Sequence, residues 1–384
     1  MAKKDTKESQ IDKHVNRIIQ TLNKKFYPQE DQRIIQKLDD APTVASLGVI
    51  PTGSLLLDQA LGVGGLPIGR IVEIYGHEGS GKTTIGLHLI AEAQRLNEKA
   101  GDDKYVLFID AEHALDPDYA KAIGVDPSKL IVVQPDYAEQ ALNIVAEFVI
   151  SDSINLFVID SVAALMPEAE YKGSMEDQHV GRQARVMSQA LRKLNGMMCK
   201  HYVLGIFINQ VREKIGVMFG NPETTPGGRA LKFWSTIRLA CSSKRVSDQE
   251  QRSERAILKV DVVKNKVAPP HKTIETEILF GYGIDLENEI LALCISEELI
   301  EKKGSWYSYG GEQLGQGIEN TKEFFKNNPD IYTQIQEQIK DIIYNRKNKI
   351  TEDAVENKED EPKEITEEDE ESVELEDVNI ITED

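Results

Sequence analysis

The sequence predicts an α/β fold, a mostly parallel twisted sheet flanked by helices, on two observations. Between about Thr43 and Gly283 short apolar runs alternate with segments of helical period, the pattern of parallel strands joined by crossover helices. Residues 76–83 read Gly-His-Glu-Gly-Ser-Gly-Lys-Thr, which fits G-x-x-x-x-G-K-[ST] at every fixed position. The motif falls between an apolar strand, Arg70–Tyr75, and a segment of helical composition, Thr83–Gln94. A glycine-rich turn in that setting aims backbone N–H groups and a helix N-terminus at one point, which makes a phosphate site.

Composition narrows the class. The chain has 384 residues, of which 40% are hydrophobic, enough for one large domain with attachments or for two domains. No apolar run reaches membrane-spanning length, and no apolar signal region follows the first residues, so a cytoplasmic location without a membrane partner is expected. Cys199, Cys241 and Cys294 lie far apart, which speaks against a disulfide framework and against a zinc site. The net charge of −20 is concentrated at one end: Thr351–Asp384 holds 17 acidic residues and 2 lysines, leaving −5 for the other 350 residues. That tail should be disordered. It either competes for basic surface or simply keeps the chain soluble.

The elements follow in order. Residues 10–38 read as an amphipathic helix, with Ile11, Val15, Ile18, Ile19 and Leu22 at helical spacing and an interruption at Pro28. Such an arm can pack on its own domain or on a neighbour. The expected strands are Ile71–Tyr75, Tyr105–Asp110, Leu130–Val133, Leu156–Asp160, Val203–Asn209, Thr236–Ala240, Ala256–Val263 and Thr273–Leu279. Asn288–Ile300 and Thr321–Tyr344 are again apolar and periodic, which indicates a small α/β domain. The expected divisions are a helical oligomerisation arm over 1–42, a core over 43–285, the small domain over 286–350 and the tail over 351–384.

The chemistry starts at the loop. Gly76, His77, Glu78, Gly79, Ser80 and Gly81 would wrap the phosphates of ATP, with Thr84 following in the helix. Lys82 would reach the β- and γ-phosphates, and the Thr83 hydroxyl would hold Mg²⁺. Leu156–Asp160 is an apolar strand ending in a carboxylate; Asp160 either completes the magnesium shell or merely ends a strand. Tyr105–Glu112 carries two carboxylates just past another strand. Glu112 is the candidate to activate the attacking water, against an ordinary surface carboxylate. Ile206–Gln210 ends a third strand in a side-chain amide that can touch the γ-phosphate. A doubly wound sheet gathers such strand ends along its carboxyl edge, where ligands bind.

Two stretches lack any period. Val211–Gly228 is studded with glycine and proline and combines Arg212 and Lys214 with Ile215, Met218 and Phe219. That mixture suits contacts to nucleic-acid phosphates and bases. Lys172–Gly181 has similar loop character. The following helix has an apolar stripe of Ala184, Met187, Leu191, Leu194 and Met198, while Arg185 and Arg192 share another face. Taken alone, that pair reads as a solvated face more readily than as a DNA contact.

Assembled, these segments resemble the bacterial RecA recombinase family. The resemblance is carried by Ser54–Leu61 with Gly64-Gly65-Leu66-Pro67, the phosphate loop, Phe108–Pro117, Asp160–Leu165, Ile208–Thr225, Val263–Val267 and Trp306-Tyr307-Ser308-Tyr309, and runs from about residue 50 to 330. It implies a RecA-type P-loop ATPase core. By the same resemblance Glu112 is the catalytic glutamate, Asp160 the magnesium-shell aspartate and Gln210 the γ-phosphate sensor. Asp116 and Tyr119 match the adenine pocket, and Lys264 and Lys266 match lysines that reach a neighbour's ATP. Lys172–Gly181 and Val211–Gly228 match two DNA-binding loops, the second including Arg212, Lys214, Phe219, Gly227 and Gly228. Val180 and Ile215 match apolar residues placed between base triplets, and Arg185 and Arg192 match backbone contacts.

Several positions depart from the family pattern. His77 and Gly79 stand where proline and serine are usual, and Phe280 where tyrosine is common near the nucleotide. The linker after Phe26 lacks the usual glycine-lysine-glycine-serine phrase. Ser242, Ser243 and Asp261 replace basic residues of the second DNA site, and Gly310, Gln313 and Ile318 replace lysines of the small domain. The resemblance implies an ATP-dependent recombinase that polymerises as a helical filament on single-stranded DNA, pairs it with homologous duplex DNA and exchanges strands. It also implies stimulation of repressor self-cleavage in the DNA-damage (SOS) response. Two other readings stand beside it: a ring-forming helicase-type motor on the same core, and a scaffold for repressor cleavage that has lost strand exchange.

Overall fold

A computed structural model describes residues 10–26, 35–37, 48–174, 181–213, 223–246 and 255–356, the side chains of 10, 213, 223 and 344–356 aside. The chain begins with α1 (Gln10–Phe26). The Asn23 side chain exchanges hydrogen bonds of 2.8 and 2.9 Å with the backbone of Ile35, which places Ile35 against the helix. Ile11, Val15 and Ile18 are exposed while Ile19 and Leu22 are half-buried, so the described residues cover only part of the apolar stripe read from the sequence. A short antiparallel pair, β1 (Val49–Ile50) with β2 (Leu66–Pro67), then brackets α2 (Leu55–Leu61). Ser54 caps α2 by accepting from Leu57 N–H, and Gly62 ends it in the left-handed region.

The alternation expected from the sequence follows. It comprises β3 (Ile71–Gly76), α3 (Lys82–Ala100), β4 (Tyr105–Asp110), α4 (Pro117–Ile123), β5 (Leu130–Val133), α5 (Ala138–Ile150) and β6 (Ile154–Asp160). After the single turn α6 (Glu168–Tyr171) come α7 (Arg182–His201), β7 (Leu204–Gln210), the small pair β8 (Arg212–Glu213) and β9 (Glu223–Thr224), and α8 (Ala230–Trp234). The last core strands are β10 (Ile237–Arg245), β11 (Arg255–Asn265), β12 (Thr273–Leu279) and β13 (Gly283–Ile284). They form one nine-stranded sheet in the order β13-β12-β11-β10-β3-β7-β6-β4-β5.

From β10 to β5 every pairing is parallel, whereas β11, β12 and β13 are added antiparallel. The sheet is therefore mixed, its parallel part being the six-strand half. The reason is local. Antiparallel neighbours need no long crossover, and among the described residues no helix intervenes between β10 and β13. The central parallel strands are buried on both faces: along β6, Leu156 and Val158 pack toward α3, while Phe157 and Ile159 pack toward α5 and α7. This two-sided burial explains why the strand reads as an unbroken apolar run rather than an alternation.

One ion pair lies inside the sheet. The Arg238 Nε donates to Glu73 Oε2 at 2.5 Å, and the Asn209 amide donates to the other carboxylate oxygen at 3.3 Å. Glu73 is fully buried, and the Arg238 guanidinium lies over the Tyr75 ring, 4.5 Å from its centre. Arg238→Ala would strand the carboxylate. We expect a loss of about 3–5 kcal/mol of folding stability, as is usual when one member of a buried pair is removed. Urea unfolding at neutral pH would measure it, and an unchanged midpoint would contradict the expectation.

A smaller unit follows: α9 (Leu286–Ser296), the antiparallel sheet β14 (Glu301–Lys303), β15 (Trp306–Tyr309) and β16 (Glu312–Gln316), then α10 (Ile318–Asn327) and α11 (Pro329–Glu356). Its core is Ile290, Leu291, Tyr307, Phe325, Ile335 and Ile339. Glu289 joins it to α2, accepting from the Ser54 hydroxyl at 2.7 Å and from Leu56 N–H at 3.4 Å; burial pushes its carboxyl pKa up. Helix α11 runs to Glu356, so the first six residues of the acidic segment are helical rather than disordered. The rest of that segment lies outside the described residues.

Candidate nucleotide site and loop stems

The phosphate loop joins β3 to α3, as its sequence context requires. Gly76 must be glycine: a Cβ there would lie 2.1 Å from the Cys241 carbonyl oxygen of the adjacent strand β10. Gly81 caps α3 at φ +82, a conformation side chains disfavour. His77, Glu78 and Gly79 form an exposed tip, while Ser80 and Lys82 are buried. The tip has an outside tether, since the Ser243 hydroxyl donates to the Gly79 carbonyl at 2.7 Å.

The Lys82 ammonium donates to His77 O at 2.6 Å and to Ser80 Oγ at 3.4 Å, both atoms of the loop itself. Burial lowers its pKa from the ordinary lysine value, against the pull of nearby acidic groups. The Thr83 hydroxyl donates to Asp160 Oδ2 at 2.6 Å. Burial raises the Asp160 pKa to about 6, with Glu112 and Asp110 adding to the rise and the Thr83 hydrogen bond and Lys82 opposing it. These groups fit a magnesium nucleotide: a cation with flexible loop partners, and a hydroxyl and carboxylate side by side on hard oxygens. Magnesium keeps much of its shell as phosphate oxygens and water, so one protein carboxylate is enough.

A cleft of about 410 Å³ opens beside the loop. It is lined by Gly79–Thr84 together with Asp116, Tyr119, Ser243, Ala256, Ile278, Phe280 and Gly281. Thr84 Oγ1 and Tyr119 Oη lie 2.9 Å apart. Asp116 caps α4 with one oxygen, accepting from Asp118 N–H and Tyr119 N–H, and is exposed. Asp116 and Tyr119 therefore do line one wall with the phosphate loop.

The two carboxylates after β4 differ. Asp110 is buried and engaged, accepting from Ala114 N–H, Leu115 N–H and the Gln134 amide. Glu112 is exposed, and its Oε1 accepts from the Ser161 hydroxyl and, at 3.0 Å, from the Gln210 amide. The ends of β4, β6 and β7 thus converge, and Glu112, Asp160 and Gln210 sit along one carboxyl edge with the loop.

Lys264 and Lys266 do not join them. Lys264 pairs with Arg238, opposite Glu73, whereas the loop starts at Gly76, opposite Cys241. Three residues of strand separate the two levels, roughly 10 Å along the sheet. The Lys264 ammonium donates to Lys232 O at 2.7 Å and Phe233 O at 3.2 Å, away from the loop. Burial lowers its pKa, and Lys266 and Arg238 lower it further. Exposed Lys266 borders a second hollow with Arg70, Asn195, Phe233 and Trp234.

The loop stems are described in part. Arg212 is exposed beside the short β8–β9 pair, and Arg185 and Arg192 are exposed on α7. Gly227 and Gly228 lie at φ +80 and +78. Val180, Lys214, Ile215 and Phe219 lie outside the described residues. Sequence reasoning missed Ser161, Asn209 and Gln183, polar side chains without a motif, whose partners come together only in the fold.

Fold and site together define a protein of the P-loop nucleotide-binding class with a mixed sheet. The RecA N-terminal domain family matches residues 13–285 and the RecA C-terminal domain family residues 288–343. Protein RecA of Heliobacterium modesticaldum is 54% identical over 308 residues, covering 80% of this chain and 87% of the relative. Protein RecA of Bacillus subtilis is 53% identical over 307 residues (80% and 86%), and that of Staphylococcus aureus 52% over 317 (83% and 88%). The chain belongs to the RecA family. Its function is that of an ATP-dependent DNA recombinase, acting through filament formation and strand exchange, with a part in the SOS response. Among the described residues no helix is long and apolar enough to cross a membrane.

Proposed function

We propose that this chain is a DNA-stimulated ATPase whose hydrolytic site and DNA loops share residues, with Gln210 as the joint. The observation that carries this is the 3.0 Å hydrogen bond from the Gln210 amide to Glu112, one residue before the stretch that starts at Val211. Bound Mg²⁺ would supply positive charge to the β- and γ-phosphoryl oxygens. Lys82 holds those oxygens electrostatically, and Thr83 and Asp160 orient the metal shell. Glu112 takes a proton from the attacking water, with the Ser161 and Gln210 hydrogen bonds fixing its carboxylate. Asp116 and Tyr119 contact the base.

Gln210 reports the γ-phosphate to the second loop, so that nucleotide and single-stranded DNA favour the same state. Arg212, Lys214, Arg185 and Arg192 contact backbone phosphates of DNA; Val180, Ile215 and Phe219 meet bases, and Gly227 and Gly228 allow close approach. The division into arm, core, small domain and acidic tail, the cytoplasmic location and the SOS repressor as partner belong to the same reading. ATPase rates with and without single-stranded DNA test it: hydrolysis stimulated by DNA is expected, and DNA-independent turnover would reject it.

Lys264 and Lys266 act on a neighbouring subunit's nucleotide, because in their own chain they lie toward the opposite end of the strands from the loop. An inserted cation stabilises charge on the transferring phosphoryl group. Lys264→Ala or Lys266→Ala should lower DNA-stimulated hydrolysis by roughly 10²–10³-fold, as removal of a charge-stabilising donor does, while ATP binding to single subunits persists. Mixing either with Lys82→Ala protein should restore part of the activity at joints where one subunit brings the loop and its neighbour the lysines. No recovery at any ratio would count against the trans role.

A further inference from the structure

We propose that Gln183 is a positioning residue that couples the nucleotide site to the far end of the second loop stem and to helix α7. It rests on the reading above in which the stretches 172–181 and 211–228 contact DNA. Gln183 sits in the first turn of α7, half-buried, and uses its whole amide. Its Nε2 donates to Val162 O and to Leu165 O, both at 2.9 Å. Its Oε1 accepts from Gly227 N–H at 3.2 Å. Three segments distant in sequence therefore meet on one planar group.

Each segment leads somewhere chemical. Val162–Ala164 is a 3₁₀ turn directly after Asp160 and Ser161, and Ala164 N–H donates to Ser161 O at 3.1 Å. Ser161 in turn donates to Glu112. Gly227 lies next to the end of the second stretch, and the residue before it, Pro226, accepts from the Asn209 amide at 3.1 Å. Helix α7 carries Arg185 and Arg192 on its exposed side.

The packing leaves little slack. A Cβ on Gly227 would lie 3.1 Å from Val162 Cγ1, and one on Gly228 would lie 2.7 Å from Ala184 Cβ. The glycine pair thus lets the loop end press directly on the turn and on the start of α7. An amide with two donors and one acceptor committed cannot follow one partner without pulling the others, since hydrogen bonds weaken steeply with distance and angle. A shift at Ser161 and Glu112 on nucleotide binding moves the turn, and Gln183 carries that movement to Gly227 and α7. Gln210 acts at the beginning of the loop; Gln183 acts at its end.

The test compares wild type with Gln183→Met, which keeps length but loses donors and acceptor, and Gln183→Glu, which turns a carboxylate toward two carbonyls. Binding of a fluorescent oligo(dT) strand is measured with and without a non-hydrolysable ATP analogue, alongside analogue affinity and thermal unfolding. The ratio of the two DNA affinities should fall about tenfold in Gln183→Met and further in Gln183→Glu, within the usual range of coupling between sites. Analogue affinity and nucleotide-free DNA affinity should stay within about twofold, which a merely structural role would not produce as a pattern. An unchanged ratio in both variants, with normal coupling in wild type, overturns the role of Gln183 alone. A wild type without any nucleotide-dependent DNA binding overturns the functional reading and this inference with it. Should the variants fail to fold, hydrogen exchange on wild type decides: the analogue without DNA should change protection of peptides over 182–187 and 226–231 together, and exchange unchanged at both overturns the proposal.

Discussion

Lys82→Ala is expected to abolish ATP-dependent strand exchange and to weaken ATP binding by roughly 10²–10³-fold, within the 2–5 kcal/mol seen when one partner of a buried charged pair is truncated. The ammonium is buried at the base of the loop and, among the described residues, bonded only to loop atoms, so it can turn to the phosphates without breaking a tertiary hydrogen bond. For the same reason its loss should leave the fold nearly intact, because the His77 residue whose carbonyl it serves is exposed. Titration calorimetry with ATP, alongside thermal unfolding, separates the two effects. Wild-type affinity and strand exchange in this variant would remove the phosphate loop from the mechanism.

Glu112→Gln should slow hydrolysis by roughly 10²–10³-fold, the usual range for losing a general base, while ATP binding and ATP-dependent DNA binding persist. The amide keeps an acceptor oxygen for Ser161 and Gln210, so the convergence of β4, β6 and β7 should survive the change. Only the capacity to take a proton is lost. Single-turnover kinetics with saturating ATP and DNA isolate that step. If the variant hydrolyses ATP at the wild-type rate, the base is elsewhere.

Much of the core was legible because strands that bury one or both faces show an apolar alternation or an apolar run. Tyr105–Asp110, Leu130–Val133 and Thr273–Leu279 were read with the bounds that the fold has. Other bounds were short where burial gives no signal. Strand β10 continues past Ala240 to Arg245 because β11 pairs with it residue by residue, although Ser242–Arg245 are exposed and polar. Helix α3 continues beyond Gln94 to Ala100, ending on Gly101 in the left-handed region rather than where its apolar pattern fades. The three strands of the small sheet are short and largely exposed, too weak in pattern to read singly.

At the site, residues held in a motif were legible, and residues defined by their partners were not. The loop advertises itself in eight consecutive letters. Glu73 and Arg238 lie 165 positions apart, and Gln183 and Gly227 lie 44 apart, so nothing in spacing or composition links them. In the sequence Asp110 and Glu112 are two carboxylates at the end of one strand, of which Glu112 is the one expected to activate the water. The fold separates them, because one is spent on backbone N–H groups and the other faces Ser161 and Gln210.

The separation of Lys264 and Lys266 from the phosphate loop has a consequence for any polymer of this chain. Subunits joined lysine end to loop end meet through two different surfaces, and such a head-to-tail contact runs on as an open helix unless the rotation closes. The two tips of that helix are then chemically unequal: one displays a loop that no lysine reaches, the other displays lysines with nothing to reach. If Lys264 and Lys266 act in trans as proposed, hydrolysis would count junctions rather than chains, and very short polymers would turn over disproportionately slowly. On the proposed trans role, the subunit at the loop-bearing tip would keep its triphosphate longest, which would give the polymer a built-in direction and an ATP-rich cap.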